Sequence, residues 1–255
     1  MTEKKENIQL HTNERIDILY PSNYEIIQSS EVLSYSMDAV LLGHFARVPK
    51  SYKSNILDLC SGNGAVTMAI SKQTNAPVTG IEIQECLADM AERSAKLNQL
   101  SEKITYINEN LLNYKSLFKP GTIDMITCNP PYFKSDESRQ NPNEALALAR
   151  HEISLTMEGL LQVISQLLKE NGTAYLVYST ERFIELLNKC DKYQLTPKRI
   201  QMVYPKPGRV SKFFLIELIK NGSPLGFKML EPLYIMDEDG NYSKEMSTIL
   251  YDKKD

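Results

Sequence analysis

Three histidines and four cysteines in 255 residues leave little material for a metal centre. His11, His44 and His151 are far apart in sequence, and Cys60, Cys86, Cys128 and Cys190 occur singly, without the paired spacing of zinc sites or redox dithiols. The prediction is no metal and four free, mostly buried thiols. Long apolar runs are also missing: none reaches the roughly 18 residues of a membrane helix. The charged start, Met1-Thr2-Glu3-Lys4-Lys5-Glu6-Asn7, lacks the apolar stretch of a secretory signal. Both absences predict a cytoplasmic protein without membrane contact. Nor is there an excess of basic charge. Lys and Arg number 29 against 32 Asp and Glu, a net charge of −3, which excludes a protein that coats nucleic acid over its whole surface but allows a local basic patch. What is present, 42% hydrophobic and 24% charged residues, is the composition of a globular chain long enough to bury roughly 70–75% of its unfolded surface.

Residues 8–35 hold two β-like runs, Ile16–Leu19 and Tyr24–Ile27, divided by Pro21-Ser22-Asn23, and read as a hairpin cap. Residues 39–46 read as a helix, with Ser36 or Asp38 as N-cap and Pro49 beyond its end. From Asn55 onward the pattern becomes regular. Strands are predicted over 55–59, 77–83, 104–108, 123–128 and 173–178, separated by stretches with helical apolar spacing: Leu87, Met90, Ala91, Ser94, Leu97, then Leu160, Val163, Ile164, Leu167, Leu168. This alternation predicts βα units on a parallel sheet. Asn171-Gly172 reads as the C-cap of the second of those helices, and Thr180 as the N-cap of another over 181–189. Residues 199–204 and 213–219 are joined by only eight residues, too few for a parallel crossover, so they are predicted to form an antiparallel hairpin. Residues 221–255 read as a Gly-, Pro- and Asp-rich tail.

The first of these strands ends at Asp58 in Leu59-Cys60-Ser61-Gly62-Asn63-Gly64, a strand, glycine turn and helix that form a nucleotide pocket. A dinucleotide fingerprint would place a third glycine where Thr67 stands, and no Lys-Ser or Lys-Thr pair follows, so NAD, FAD and P-loop phosphate binding are disfavoured. Glu82, 24 residues after Asp58 at the end of the second strand, is placed to accept hydrogen bonds from both hydroxyls of a ribose. Ile83 would then pack on a purine, and Asn110 would accept from its amino group. The fourth strand runs into Asn129-Pro130-Pro131-Tyr132-Phe133. The prolines stiffen the backbone, so the Asn129 side-chain oxygen and the Pro130 carbonyl can converge as two acceptors on one planar amine. Accepting both amine protons raises electron density on nitrogen and stabilises the charge that develops on alkylation. Tyr132 can stack on the group that carries the amine.

With these residues, Asp58 to Gly64, Glu82 and Asn129-Pro130-Pro131-Tyr132, the chain resembles class I S-adenosylmethionine-dependent amino methyltransferases over roughly residues 36–220. Ser36-Met37-Asp38-Ala39-Val40-Leu41-Leu42-Gly43, together with Asn129 to Phe133, is similar to the bacterial adenine N6-methyltransferases that modify position 37 of a valine tRNA. The resemblance implies an α/β, Rossmann-like fold with a mostly parallel seven-stranded sheet ending in an antiparallel hairpin. Its organisation would be a cap at 1–35, the methyltransferase domain at 36–220 and an extension at 221–255. It implies S-adenosylmethionine held by Asp38, Asp58, Cys60, Gly62, Gly64, Glu82, Ile83, Asn110, Leu111 and Asn129. Catalysis would rest on Asn129, Pro130, Pro131 and Tyr132, and substrate contact on Tyr132, Phe133 and Lys134, in a monomer acting on tRNA. Asn110 departs from the family pattern, where Asp is common. Release-factor glutamine N5-methyltransferases share the Asn-Pro-Pro-Tyr run, but their N-terminal helical domain does not fit into about 35 residues. Ribosomal guanine methyltransferases more often carry Phe at the Tyr132 position, and DNA adenine methyltransferases need room for a target-recognition domain. An inactive cofactor- or RNA-binding scaffold is at odds with the intact Asn129 to Tyr132 run.

Residues 191–212 carry six basic residues, Lys192, Lys198, Arg199, Lys206, Arg209 and Lys212, against one acid, Asp191, with Tyr193, Tyr204 and Phe213 among or beside them. The rest of the chain has 23 basic and 31 acidic residues. An acidic body with one basic edge is the expected outcome, with Lys206, Arg209 and Lys212 tracking RNA phosphates. Lys134 and Arg139 are read as substrate contacts, and His151-Glu152 as structural.

Overall fold

The chain enters through an antiparallel hairpin, β1 (Glu14–Leu19) and β2 (Tyr24–Ser29), paired from Glu14 opposite Ser29 to Leu19 opposite Tyr24. A computed structural model describes residues 8–32, 35–130 and 155–251. Helix α1 (Met37–Phe45) follows, then β3 (Ile56–Leu59), α2 (Ala65–Ser71), β4 (Val78–Glu82), α3 (Glu85–Leu97), β5 (Ile104–Asn108), the single turn α4 (Tyr114–Leu117) and β6 (Ile123–Cys128). Beyond the next described residues come α5 (Met157–Leu167), β7 (Leu168–Ser179), α6 (Phe183–Cys190), β8 (Leu195–Tyr204), β9 (Phe213–Lys220), β10 (Lys228–Met229), β11 (Leu233–Tyr234) and α7 (Lys244–Tyr251).

The main sheet has nine strands in the order β10-β8-β9-β7-β6-β3-β4-β5, with β11 beside β10 on the outer side of β8. Only β9 runs against its neighbours, β7 and β8. The carboxyl ends of β3, β4, β6, β7, β8 and β11 therefore lie along one edge, together with the loop that joins β8 to β9. The expected α/β sheet with its closing hairpin is present, and the tail adds two short strands that sequence reading left out.

Helix α1 is buried over most of its surface, with Ala39, Val40, Leu41, Leu42 and Phe45 all in the core and His44 exposed, because it lies among α2, β7 and β9. Gly43 lets it approach α2: a Cβ there would stand 3.0 Å from that of Ala69. Helix α3 instead shows one apolar stripe, Leu87, Met90, Ala91, Ser94 and Leu97, as its spacing predicts. The hairpin is fastened to α3 and the glycine loop by polar contacts. Ile27 N donates to Ser94 Oγ (2.9 Å), Asn98 bonds both backbone groups of Glu25, Asn63 Nδ2 donates to Ile27 O (3.1 Å), and Arg93 pairs with Glu14 (2.6 Å).

Two expected caps are corrected. Helix α5 ends at Leu167, and Asn171-Gly172 lies inside β7, where Asn171 takes φ +61° as the pairing with β6 slips register between Ile123 and Met125. Leu168 passes straight from helix to sheet, so no loop needs a cap. A 3₁₀ turn over Thr180–Arg182 precedes α6 and is capped by the Ser179 hydroxyl, while Thr180 Oγ1 donates to Ser211 O (2.7 Å). The cysteines are all free, but only Cys128 and Cys190 are buried; Cys60 is half-buried and Cys86 exposed.

Candidate active site

The loop after β3 takes left-handed backbone at every second residue: φ is +56° at Cys60, +55° at Gly62 and +87° at Gly64. A Cβ at Gly64 would come within 2.2 Å of the Tyr106 hydroxyl, so only glycine lets this turn pass over the β5 ring. At Gly62 the same construction meets nothing within 4 Å, so that side of the turn is open. Backbone bonds fix the loop, Ser61 N to Ile81 O (2.9 Å) and Gly64 N to Ser61 O (2.9 Å). Glu82 does the rest: its two carboxylate oxygens accept from Gly62 N (2.9 Å) and Gln84 N (2.9 Å).

Asp58 faces inward rather than into the pocket. It is 1% exposed, and its oxygens accept from Thr67 Oγ1 (2.6 Å) and Thr127 Oγ1 (2.7 Å). Burial pushes its carboxyl up to about 6, against those two hydrogen bonds. Thr67 stands where a dinucleotide site would have its third glycine, and Thr127 lies two residues before Asn129. Asp58 thus ties the helix that follows the glycine loop to the reactive strand, and its expected direct contact with the cofactor is corrected to a positioning role. Three further residues expected at the cofactor, Asn110, Leu111 and Asp38, are engaged within the fold. Asn110 Oδ1, expected to accept from a purine amine, accepts from Leu112 N (2.9 Å) and caps a 3₁₀ turn, while the Leu111 side chain is buried in the core. Asp38 accepts from Ala39 N (2.9 Å) and from the Ser36 hydroxyl, organising the first turn of α1.

Leu59 and Cys128 are paired on neighbouring strands, which puts Cys60 beside Cys128 and Asn129 next to the glycine loop. Burial and the Cys60 thiol push the Cys128 thiol up. Asn129 Oδ1 is buried and has no hydrogen-bond partner among the described residues; the same holds for Ser61 Oγ and Tyr106 Oη. A buried acceptor left unmatched is costly, and here it stands at the mouth of the reactive strand. Pro130 is buried behind it. Pro131, Tyr132, Phe133, Lys134, Arg139 and His151-Glu152 lie outside the described residues.

The basic run divides. Lys192 and Tyr193 sit at the far end of β8, with Lys192 3.6 Å from Glu158; Lys198 donates to Ser223 O and Leu225 O; Arg199 is buried against Glu217. Lys206, Arg209 and Lys212 occupy the β8–β9 loop, on the same sheet edge as Asn129. Tyr106, Thr67 and Thr127 line the site without a motif that marks them for it, because each reaches it through a tertiary contact, Tyr106 under Gly64 and the two threonines through Asp58.

A family model of the methyltransferase small domain matches residues 27–195. The tRNA1(Val) (adenine(37)-N6)-methyltransferase of Bacteroides thetaiotaomicron is 32% identical over 72% of this chain and 76% of its own length. The protein of the same name from Shewanella woodyi is 26% identical over 84% of this chain and 89% of its own. A solved structure described as a predicted O-methyltransferase from Agrobacterium tumefaciens superposes with a TM-score of 0.66 at 20% identity, covering 84% of this chain and 95% of that one, and shows a shared fold. Sheet order, glycine loop and Asn129 together define a class I methyltransferase. The chain belongs to the methyltransferase small-domain family, as an S-adenosylmethionine-dependent N-methyltransferase.

The residues present suit that cofactor. The open side of Gly62 allows a ligand to approach the backbone closely, Glu82 offers a carboxylate at the end of β4, and Ile83, 38% exposed beside it, offers an apolar surface. The unmatched Ser61 hydroxyl adds a polar group beneath the turn.

Proposed function

We propose that this methyltransferase acts on the exocyclic N6 amine of an adenine in tRNA, at adenosine 37 of a valine tRNA. The observation that carries the reading is the buried, unmatched Asn129 Oδ1 at the end of β6. A substrate amine supplies the missing donor. With the Pro130 carbonyl as second acceptor, both amine protons are held, the nitrogen lone pair is directed outward, and the positive charge developing on nitrogen is stabilised. S-adenosylmethionine supplies an electrophilic methyl group; Gly62, Gly64, Glu82 and Ile83 hold it, and Asp58 fixes the loop that carries the first two. Tyr132, three residues after Asn129, is placed by sequence to stack on the adenine. An anticodon-loop base can be splayed out for this at less cost than one in a duplex. The two relatives named above carry this activity in their names, and a tRNA substrate implies work in the cytoplasm.

The test offers labelled S-adenosylmethionine with bulk tRNA, ribosomal RNA and release factor in parallel, followed by digestion of the product. Label in N6-methyladenosine from tRNA is the expected result; label in protein overturns it. Asn129→Ala should lower the rate about 100-fold or more while cofactor binding by calorimetry is retained. Undiminished transfer would remove Asn129 from catalysis.

A further inference from the structure

Residues 228–236 carry a feature that methyl transfer does not use. Strand β11 pairs with the end of β8, Leu233 opposite Val203 and Tyr234 opposite Tyr204, and the two tyrosine rings meet at 5.4 Å between centroids and 34° between planes. Leu233 is buried in the core, Ile235 N donates to Tyr204 O (2.9 Å), and Met236 N donates to Pro205 O (3.0 Å), so Tyr234 is fixed from both sides. The pair lies on the sheet edge that carries Asn129. Three strand spacings separate β6 from β8, about 14 Å, a distance spanned by about four stacked nucleotides. The β8–β9 loop starts at the same point. Its Lys206, Arg209 and Lys212 have no ion-pair partner among the described residues, and no acid interrupts residues 205–212.

We propose that Tyr204 and Tyr234 form a stacking platform for single-stranded nucleotides flanking the methylated adenine, with Lys206, Arg209 and Lys212 holding their phosphates. The proposal rests on the RNA reading above and gives the C-terminal segment a share in the substrate site. Half-buried aromatic rings accept any base on their faces, and cations beside them neutralise the backbone. Because β11 holds Tyr234 before RNA arrives, little ordering cost is incurred on binding. Glu238 and Asp239, exposed on the turn after Met236, repel phosphates and confine the strand to the side of the basic loop.

The test is titration of unmodified tRNA with the full chain at several salt concentrations. Tyr234→Ala and Tyr234→Leu should each weaken binding about tenfold or more with the salt slope unchanged, and Tyr234→Phe should bind like the parent. Lys206→Gln/Arg209→Gln/Lys212→Gln should instead reduce the slope by about 2. S-adenosylmethionine binding reports that each variant is folded, and Tyr234→Leu keeps apolar bulk if Tyr234→Ala does not fold. Parent-like tRNA affinity in a folded Tyr234→Leu overturns the platform while leaving the RNA reading intact. If the parent binds no tRNA and labels a protein instead, the RNA reading itself fails.

Discussion

Asp58 holds a carboxylate in one of the driest positions of the molecule, and two threonine hydroxyls do not fully offset the desolvation. Its pKa rises from 3.8 to about 6 in the folded chain, so the native state binds a proton more tightly than the unfolded state. This contribution to stability is complete below the unfolded value and is lost as pH rises through about 6, on the order of 3 kcal/mol. Asp58→Asn removes the titrating group. Denaturant unfolding across pH 4–7 should show the parent losing stability relative to Asp58→Asn on the way up, and parallel curves would refute this account. At this scale the sequence was a good guide to position and a poor one to orientation. The sequence marks the places of Asn129, Gly62 and Glu82, because each stands at a strand end or in the turn that follows one. Nothing in the sequence says that the oxygens of Asp58 and Asn110 are already engaged, since their partners, Thr67, Thr127 and Leu112, are known only once the backbone is placed.

At the scale of elements, β8 and β9 are joined across their buried face by Arg199 and Glu217, 8% and 6% exposed. The guanidinium also donates to Phe45 O (3.0 Å) and lies 4.4 Å from the centre of the Phe45 ring, so the same charge pins the end of α1 to the sheet. Removing one partner leaves the other charged and desolvated. Arg199→Ala should cost about 3–5 kcal/mol in urea unfolding, whereas Arg199→Met/Glu217→Leu should lie close to the parent. Equal losses in the two variants would show that packing rather than charge is at stake. The sequence showed the hairpin, because eight residues permit no crossover. It did not show that the basic run would be split along β8, since the two ends of a ten-residue strand lie roughly 30 Å apart. Asn171-Gly172 misled for a related reason: the same pair suits a helix cap and a strand irregularity, and only the pairing with β6 distinguishes them.

For the molecule as a whole, one core cluster joins residues from both ends of the chain. Leu19 and Ile26 of the hairpin and Val40, Leu41, Leu42 and Phe45 of α1 share it with Val203, Leu233, Met246, Ile249 and Leu250, and the Tyr20 and Tyr251 rings meet edge to face at 5.6 Å. The region from Asn221 onward, which composition marks as a tail, is therefore part of the packing. Deleting residues 223–255 should broaden the thermal transition seen by circular dichroism and lower its midpoint, because Val203, Leu19 and their neighbours lose their cover. A truncated chain that melts like the parent would show the segment to be dispensable. The same closure sets an order in time. During synthesis α1 is complete some 200 residues before Met246, which at 5–20 residues per second leaves its apolar sides waiting about 10–40 s for their last covering side chains. The apolar sides of α1 are thus open to aggregation from the time the cofactor loop has been made until α7 emerges.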